Sequence, residues 1–366
     1  MDSTLSERPG CITPPPEGSP RATKRRRPLS QNEYVEGILC GDRLILSRAI
    51  TLVESAREAD RDLAENIIET CLPAAAGNSI RVGVTGVPGA GKSSVIEALG
   101  QYLTLHRREK VAVLAIDPSS QLSGGSILGD KTRMTALAMN DLAFIRPSPS
   151  RGTLGGVAQR TRETMLLCEA AGYRNILVET VGVGQSETAV RDMVDFFLLI
   201  ALAGAGDELQ GIKRGVMELA DLVAINKADG SNLTAAEHAR SEAANALHFF
   251  PASRSGWTPR AVICSASSHL GIRDLWSYVL EHDKLTRGNG WCEHVRREQM
   301  YRAMHASIEH GLQHRFETHP AVRSRIKALQ EDVLAGRVTP FAAARELLDL
   351  YSARQPAARG KSSTSS

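Results

Sequence analysis

Residues 80–100 read IRVGVTGVPGAGKSSVIEALG. An apolar, β-branched run comes first, then a stretch punctuated by glycines and one proline, then apolar residues at helical spacing. The middle part, Gly86-Val87-Pro88-Gly89-Ala90-Gly91-Lys92-Ser93, fits G-x-x-x-x-G-K-[ST] between a strand and a helix. The glycines let successive backbone N–H groups turn inward and cradle a phosphate, which Cβ-bearing residues resist. Lys92 brings a point charge to the outer phosphates, the Ser93 hydroxyl can ligate Mg²⁺, and Ser94 adds a second hydroxyl to the first helical turn.

On either side of this stretch, short apolar runs alternate with helical patterns. Six runs are expected as strands: 80–85, 111–116, 175–179, 196–202, 222–226 and 261–265. They are apolar on both faces, as strands covered on both sides of a parallel sheet must be. The predicted fold is α/β, a doubly wound, mostly parallel sheet with helical N- and C-terminal extensions, binding its ligand at the carboxyl ends of the strands. The expected division is a polar, proline-rich basic tail over 1–30, a helical extension over 31–78, a phosphate-loop domain over 79–285, a helical dimerisation region over 286–355, and a low-complexity tail over 356–366. Asp42 is the expected cap of a second helix, and Thr339-Pro340 the expected start of the last one, with Phe341, Ala344, Leu347, Leu348 and Tyr351 sharing a face.

The base to be read is guanine. Asn226-Lys227-Ala228-Asp229 closes the run LVAIN as N-K-x-D. A carboxylate there accepts from guanine N1–H and from its exocyclic amine, whereas adenine offers neither donor and would leave the acid unpaired. Ser265-Ala266-Ser267, after the next strand, can present backbone N–H groups to guanine O6.

Two acid-bearing segments lie between loop and base motif. Asp117 ends the strand VAVLAI and precedes a glycine-rich stretch carrying Asp130. Asp117 is a candidate for a metal-bound water; Asp130 stands equally as a metal-side acid or as a solvated loop residue. Glu179 ends NILVE where nucleotide hydrolases place a metal-side acid, and Gly182 is set to bring its N–H to a γ-phosphate. Gln185 reads equally as a hydrolysis residue or a neutral loop residue. Arg146 and Arg151 flank a proline-, serine- and glycine-rich loop that can meet nucleotide or partner. His310 and His314 are spaced i, i+4 but lack a third ligand, which favours an ordinary helical face.

Bulk properties exclude several classes. The net charge is +3, part of it in Lys24-Arg25-Arg26-Arg27, so no broad nucleic-acid surface is indicated. Six cysteines are scattered without a Cys-x-x-Cys pair, which suits reduced thiols. No apolar stretch approaches the roughly 20 residues of a membrane span, and the first residues lack a signal-peptide core. A cytoplasmic protein is expected.

Taken together, GVPGAGKSS, AIDPSSQLSGGSILGDKTRM, RPSPSRGTLGGVA, VETVGVGQSE, GAGDELQGIKRG and NKADG resemble the MeaB/methylmalonic aciduria type A GTPases. This is a chaperone group of SIMIBI-class P-loop GTPases with an older label of LAO/AO transport ATPase. The likeness runs from about residue 35 to 350 and leaves the tail at 1–30 outside. It implies a GTPase that binds a cobalamin-dependent acyl-CoA mutase, gates adenosylcobalamin delivery, protects or reactivates the mutase, and is a homodimer. It assigns the phosphate-loop roles to Lys92 and Ser93, the switch acids to Asp117, Asp130 and Glu179, and the guanine-reading acid to Asp229. It also implies a third mobile loop at about 204–213, with Asp207 and Lys213 as the charges that answer to the partner.

No glutamine directly follows the strand-end acid and glycine, so slow intrinsic turnover is expected, raised when a partner orders the loops. Lys213 or the partner would supply the missing charge. The alternatives are a nickel-insertion GTPase, which would carry a His-rich tract or Cys-His pair; an ATPase or kinase of amino-acid transport, which the guanine motif opposes; and a scaffold without turnover.

Overall fold

The computed structural model describes residues 27, 29–55, 57–75, 77–117, 134–149, 154–180, 186–203, 214–251 and 253–353. Seven strands form one sheet: β1 (Ile80–Gly86), β2 (Val111–Asp117), β3 (Ala143–Pro149), β4 (Asn175–Thr180), β5 (Phe196–Leu202), β6 (Leu222–Asn226) and β7 (Arg260–Ile263). Their order is β3-β2-β4-β1-β5-β6-β7 and every pairing is parallel. The strand order reverses around β1, which opens a crevice at the carboxyl ends of β1, β4 and β5.

Alternate residues feed opposite layers, as a two-sided sheet requires. Val111, Val113, Leu177, Leu198 and Ile200 face α4 (Lys92–Gln101) and a helix after β7, α10 (Ile272–Gly288). Ala112, Leu114, Ile176 and Val178 face the other way, onto α6 (Leu154–Ala170). That same layer takes in the N-terminal helices α1 (Gln31–Leu39), α2 (Arg43–Val53) and α3 (Glu58–Cys71) through Ile38, Leu46, Ile50 and Ile67. Leu199, Val223 and Ile225 pack under α9 (Leu233–Leu247). The short helices α5 (Thr135–Ala138), α7 (Ser186–Arg191) and α8 (Arg214–Glu218) complete the layers.

Local signals hold where they are chemical. Asp42 accepts from Leu44 N at 2.8 Å and Ile45 N at 3.1 Å, satisfying two first-turn donors of α2, a cap worth about 1 kcal/mol. Thr339 caps the last helix by accepting from Ala342 N at 3.2 Å. After α10 come α11 (Trp291–Thr318), α12 (Pro320–Leu334) and α13 (Pro340–Ser352). The buried side of α13 is Ala343, however, while Phe341 and Leu348 are exposed.

The sequence reading misses β3. Residues 143–149, AFIRPSP, are not among the six expected strands, and the loop expected between Arg146 and Arg151 begins within them. The strand is nevertheless paired to β2 from Val111↔Ala143 to Asp117↔Pro149. It lies at the sheet edge, where a proline without an N–H is tolerated. The Arg146 guanidinium pairs with Glu54, the C-cap of α2, and donates to Thr51 Oγ1 at 3.3 Å. β7 also ends at Ile263, two residues earlier than expected, and Ser265 instead bridges to Leu270.

Candidate nucleotide site

β1 delivers its last residue, Gly86, at φ 149°, with no room for more: a Cβ there would lie 2.1 Å from the Ile200 carbonyl oxygen. Gly91, in the left-handed region at φ 86°, is the N-cap of α4 and offers no side chain. The first N–H groups of α4 are therefore left to a ligand rather than to a cap. Lys92 is 9% exposed, and its ammonium donates to the carbonyls of Gly86 at 2.8 Å and Val87 at 3.2 Å, which hold it within the curve of the loop.

Behind the loop, Ser93 Oγ donates to Glu179 Oε1 at 2.8 Å. Glu179 is 8% exposed near the end of β4, level with Val84 of β1 and Ala115 of β2. A hydroxyl and a carboxylate at this spacing are hard oxygen donors of the kind Mg²⁺ takes together with phosphate oxygens, so the residues present fit that ion. Asp117 ends β2 beside this point. One residue beyond Glu179, Thr180 Oγ1 donates to Thr85 Oγ1 at 2.9 Å, a contact that no motif announces.

The second half of the site hangs from β6 and β7. Asn226 Nδ2 donates to the Ala90 carbonyl at 2.8 Å, and its Oδ1 accepts from Ala266 N at 3.2 Å. One side chain thus spans the phosphate loop and the loop after β7. Lys227 takes φ 60°, a left-handed turn uncommon outside glycine, and Asn232 Nδ2 braces its carbonyl at 2.8 Å. Asp229 Oδ2 accepts from Ser265 Oγ and from Ser267 Oγ, the latter at 2.5 Å. These two hydroxyls hold the Asp229 carboxyl below the usual carboxylate range. Ser265 is itself steadied by Ser268 N, which donates to its Oγ at 3.2 Å.

The structure therefore brings together Gly86–Ser93, Glu179, Asn226, Asp229, Ser265, Ala266 and Ser267, with Ser94 exposed on the first turn of α4. Asp130, Gly182, Gln185, Asp207 and Lys213 lie outside the described residues, as does Arg151. The sequence reading missed the Thr85–Thr180 pair and the span of Asn226 to the phosphate loop. Alternating residues reveal which face a side chain takes, but not which neighbouring strand it reaches. Among the described residues, no helix is long and apolar enough to cross a membrane.

Comparison with known proteins bears directly on this arrangement. The family model described as "Methylmalonyl Co-A mutase-associated GTPase MeaB" matches residues 46–321. A putative GTPase of Caulobacter vibrioides is 50% identical over 314 residues, covering 86% of this chain and 95% of that one. GTPase ArgK of Escherichia coli is 49% identical over 267 residues, covering 73% and 80%. A mitochondrial methylmalonic aciduria type A homolog of Mus musculus is 42% identical over 327 residues, covering 87% and 79%. A solved structure described as a LAO/AO transport system kinase superposes with a TM-score of 0.67 at 36% identity, covering 87% of this chain and 96% of that one. The phosphate loop, the N-K-x-D turn and these likenesses point the same way: the chain is a GTPase and belongs to the MeaB family of methylmalonyl-CoA mutase-associated GTPases.

Proposed function

We propose that this GTPase gates the loading of adenosylcobalamin into a cobalamin-dependent acyl-CoA mutase of the methylmalonyl-CoA type, and protects or reactivates that mutase. The partner is supported by the family's description and by the name of the mouse relative. The observation that carries the nucleotide side is Asp229: two serine hydroxyls occupy one carboxylate oxygen and leave the other for guanine donors. An adenine nucleotide would give that acid nothing to accept from.

In this reading Gly86–Ser94 enclose the phosphates, and Lys92 neutralises the charge shared by the β- and γ-groups. Ser93 and Glu179 hold Mg²⁺, joined by Asp117 and Asp130. When bound, the ion supplies charge neutralisation at the phosphate oxygens. Gly182 presents its N–H to the γ-phosphate, Asn226 and Lys227 with Ser265–Ser267 frame the base, and Asp207 and Lys213 respond to the partner. Lys213, or the partner, supplies the missing charge at the phosphates, so turnover is slow until the mutase orders the loops.

The working unit is a homodimer in the cytoplasm. Met300, Met304, Ile308 and Leu312 form a four-residue-spaced row on the 28-residue α11, between 49% and 65% exposed. Such a row is the ridge that helices pack into one another's grooves.

The test is GTP turnover with and without acyl-CoA mutases from the same genome. Stimulation by one mutase and a nucleotide-dependent complex with it are expected; neither appearing with any of them ends the chaperone reading and leaves the GTPase intact. Competition separates the base assignment: ATP displacing labelled GTP with equal affinity would refute guanine recognition.

A further inference from the structure

We infer that Thr85 and Thr180 form a positioning pair for GTP hydrolysis, setting the angle at which Glu179 meets Ser93. Both threonines are wholly buried, and the Thr180 hydroxyl donates to that of Thr85 across 2.9 Å. Thr85 directly precedes Gly86, where the phosphate loop begins; Thr180 directly follows Glu179.

The reason lies in where the strands stop pairing. The last matched residues of β1 and β4 are Val84 and Glu179. One step further, Thr85 pairs across to Leu199 of β5, and Thr180 to Ile116 of β2. At the crevice, therefore, β1 and β4 are each held to an outer neighbour, and the hydroxyl pair carries their junction past the matched register.

Successive residues of a strand point to opposite faces. Glu179 reaches Ser93 on the α4 side, so Thr180 is turned to the other side, where Val178 and Val190 are packed. Rotating the end of β4 enough to swing Glu179 off Ser93 would pull Thr180 from Thr85. It would strand a hydroxyl in a dry layer, which such groups resist. Pinning the far face thus fixes the near one. Lying on the face away from Ser93, the pair acts through Glu179, so the inference rests on the proposed metal-side role of that acid.

Valine matches the shape of threonine without the hydroxyl, which makes a clean cycle of Thr85→Val, Thr180→Val and the double variant. Removing one hydroxyl strands the other, so each single variant should lose melting temperature; removing both should restore it, since an apolar pair is nearly neutral. Turnover should not follow. The double variant should keep its GDP affinity and its KM for GTP within about twofold, yet lose about tenfold in kcat and need more Mg²⁺ for half-maximal rate. Thr180→Ser should return kcat towards that of the unaltered protein.

A double variant that melts and turns over like the unaltered protein overturns the inference, as does turnover that recovers in step with stability. Glu179→Gln separates this from the reading beneath it. If Glu179→Gln abolishes turnover while the double valine variant is fully active, only the threonine pair falls. If Glu179→Gln itself turns over normally, the metal-side role of Glu179 falls and the pair's role goes with it.

Discussion

Asn226 Nδ2 lies 2.8 Å from the Ala90 carbonyl oxygen, so the N-K-x-D turn proposed to read the base is bonded to the loop proposed to hold the phosphates. Its Oδ1 meanwhile takes Ala266 N at 3.2 Å. Neither contact involves the γ-phosphate. Asn226→Ala leaves a buried carbonyl and an amide unmet, at about 1–3 kcal/mol. Equilibrium titration with fluorescent GDP and a non-hydrolysable GTP analogue should show equal losses for both, of about 10- to 100-fold. A loss confined to the triphosphate would show that Asn226 senses the γ-phosphate instead.

Asp229 gives a prediction of changed preference rather than loss. Asp229→Asn puts an amide donor where guanine's exocyclic amine also donates, while xanthine carries a carbonyl at that position. GTP affinity should fall by about 100-fold or more, and xanthosine triphosphate should become the better ligand. Loss of both nucleotides, with the melting temperature lowered, would mean that Asp229 serves its serine partners more than the base.

How much of this was legible beforehand follows from how each feature is encoded. Gly86–Ser93 and Asn226–Asp229 are chemical requirements met by residue type at fixed spacing, and they sit where the spacing implied. Five of the six apolar strands stand out because both their faces are buried, and β7, partly buried, still keeps an apolar run. β3 was invisible, since an edge position lets Pro147 and Pro149 replace the apolar residues that mark a strand. The Arg146–Glu54 pair was equally hidden, because the two residues are 92 apart and no period connects them. The Thr85–Thr180 bond joins positions 95 residues apart and is hidden for the same reason. It becomes visible only once β1 and β4 are known to be neighbours.

At the amino-terminal end of the sheet, away from the candidate nucleotide site, Asp195 just before β5 holds α11 in place. Arg296 reaches its two oxygens at 2.8 and 2.7 Å, and Arg81 N donates at 2.9 Å. Burial alone would push the Asp195 carboxyl up, but the bonds and charge of Arg296, with those of Arg81, outweigh it and hold it below the usual carboxylate range. A carboxyl lowered in the folded state stabilises it above the unfolded value of about 3.9, and that contribution disappears as pH falls through the folded value. Arg296→Ala should cost about 3–5 kcal/mol at neutral pH by leaving the acid buried and unpaired. Chemical denaturation at pH 7 and below pH 4 checks both points: a variant as stable as the original at pH 7, or one whose deficit does not shrink in acid, contradicts this account.

His282 adds a separate dependence nearer neutrality. Its ring stands edge-on to Phe196 at 5.1 Å and Trp257 at 5.3 Å. Burial lowers its pKa from the ordinary 6.5; Asp221, Asp195 and Asp283 pull upward and Arg191 downward, without reversing the result. The unfolded chain therefore takes a proton more readily than the folded one, so stability declines as pH drops below about 6.5. Melting temperatures at pH 7.5 and 5.5 should differ less in His282→Gln than in the unaltered protein. An unchanged difference would place the acid sensitivity elsewhere.

The exposed row on α11 is where the proposed homodimer can be tested. Met300, Met304, Ile308 and Leu312 repeat every four residues, and each is about half exposed or more. Covering a Leu or Ile side chain yields about 1.5–3 kcal/mol. If a second copy covers this row, Ile308→Glu with Leu312→Glu removes two such gains and buries like charges against each other, raising the dimer dissociation constant more than about 100-fold. Light scattering should find the unaltered chain at twice its 39.5 kDa mass and the double variant at that mass, with circular dichroism unchanged. An unaltered chain that runs as a monomer at tens of micromolar would remove the homodimer from the proposal, and a double variant that stays dimeric would move the interface to another surface.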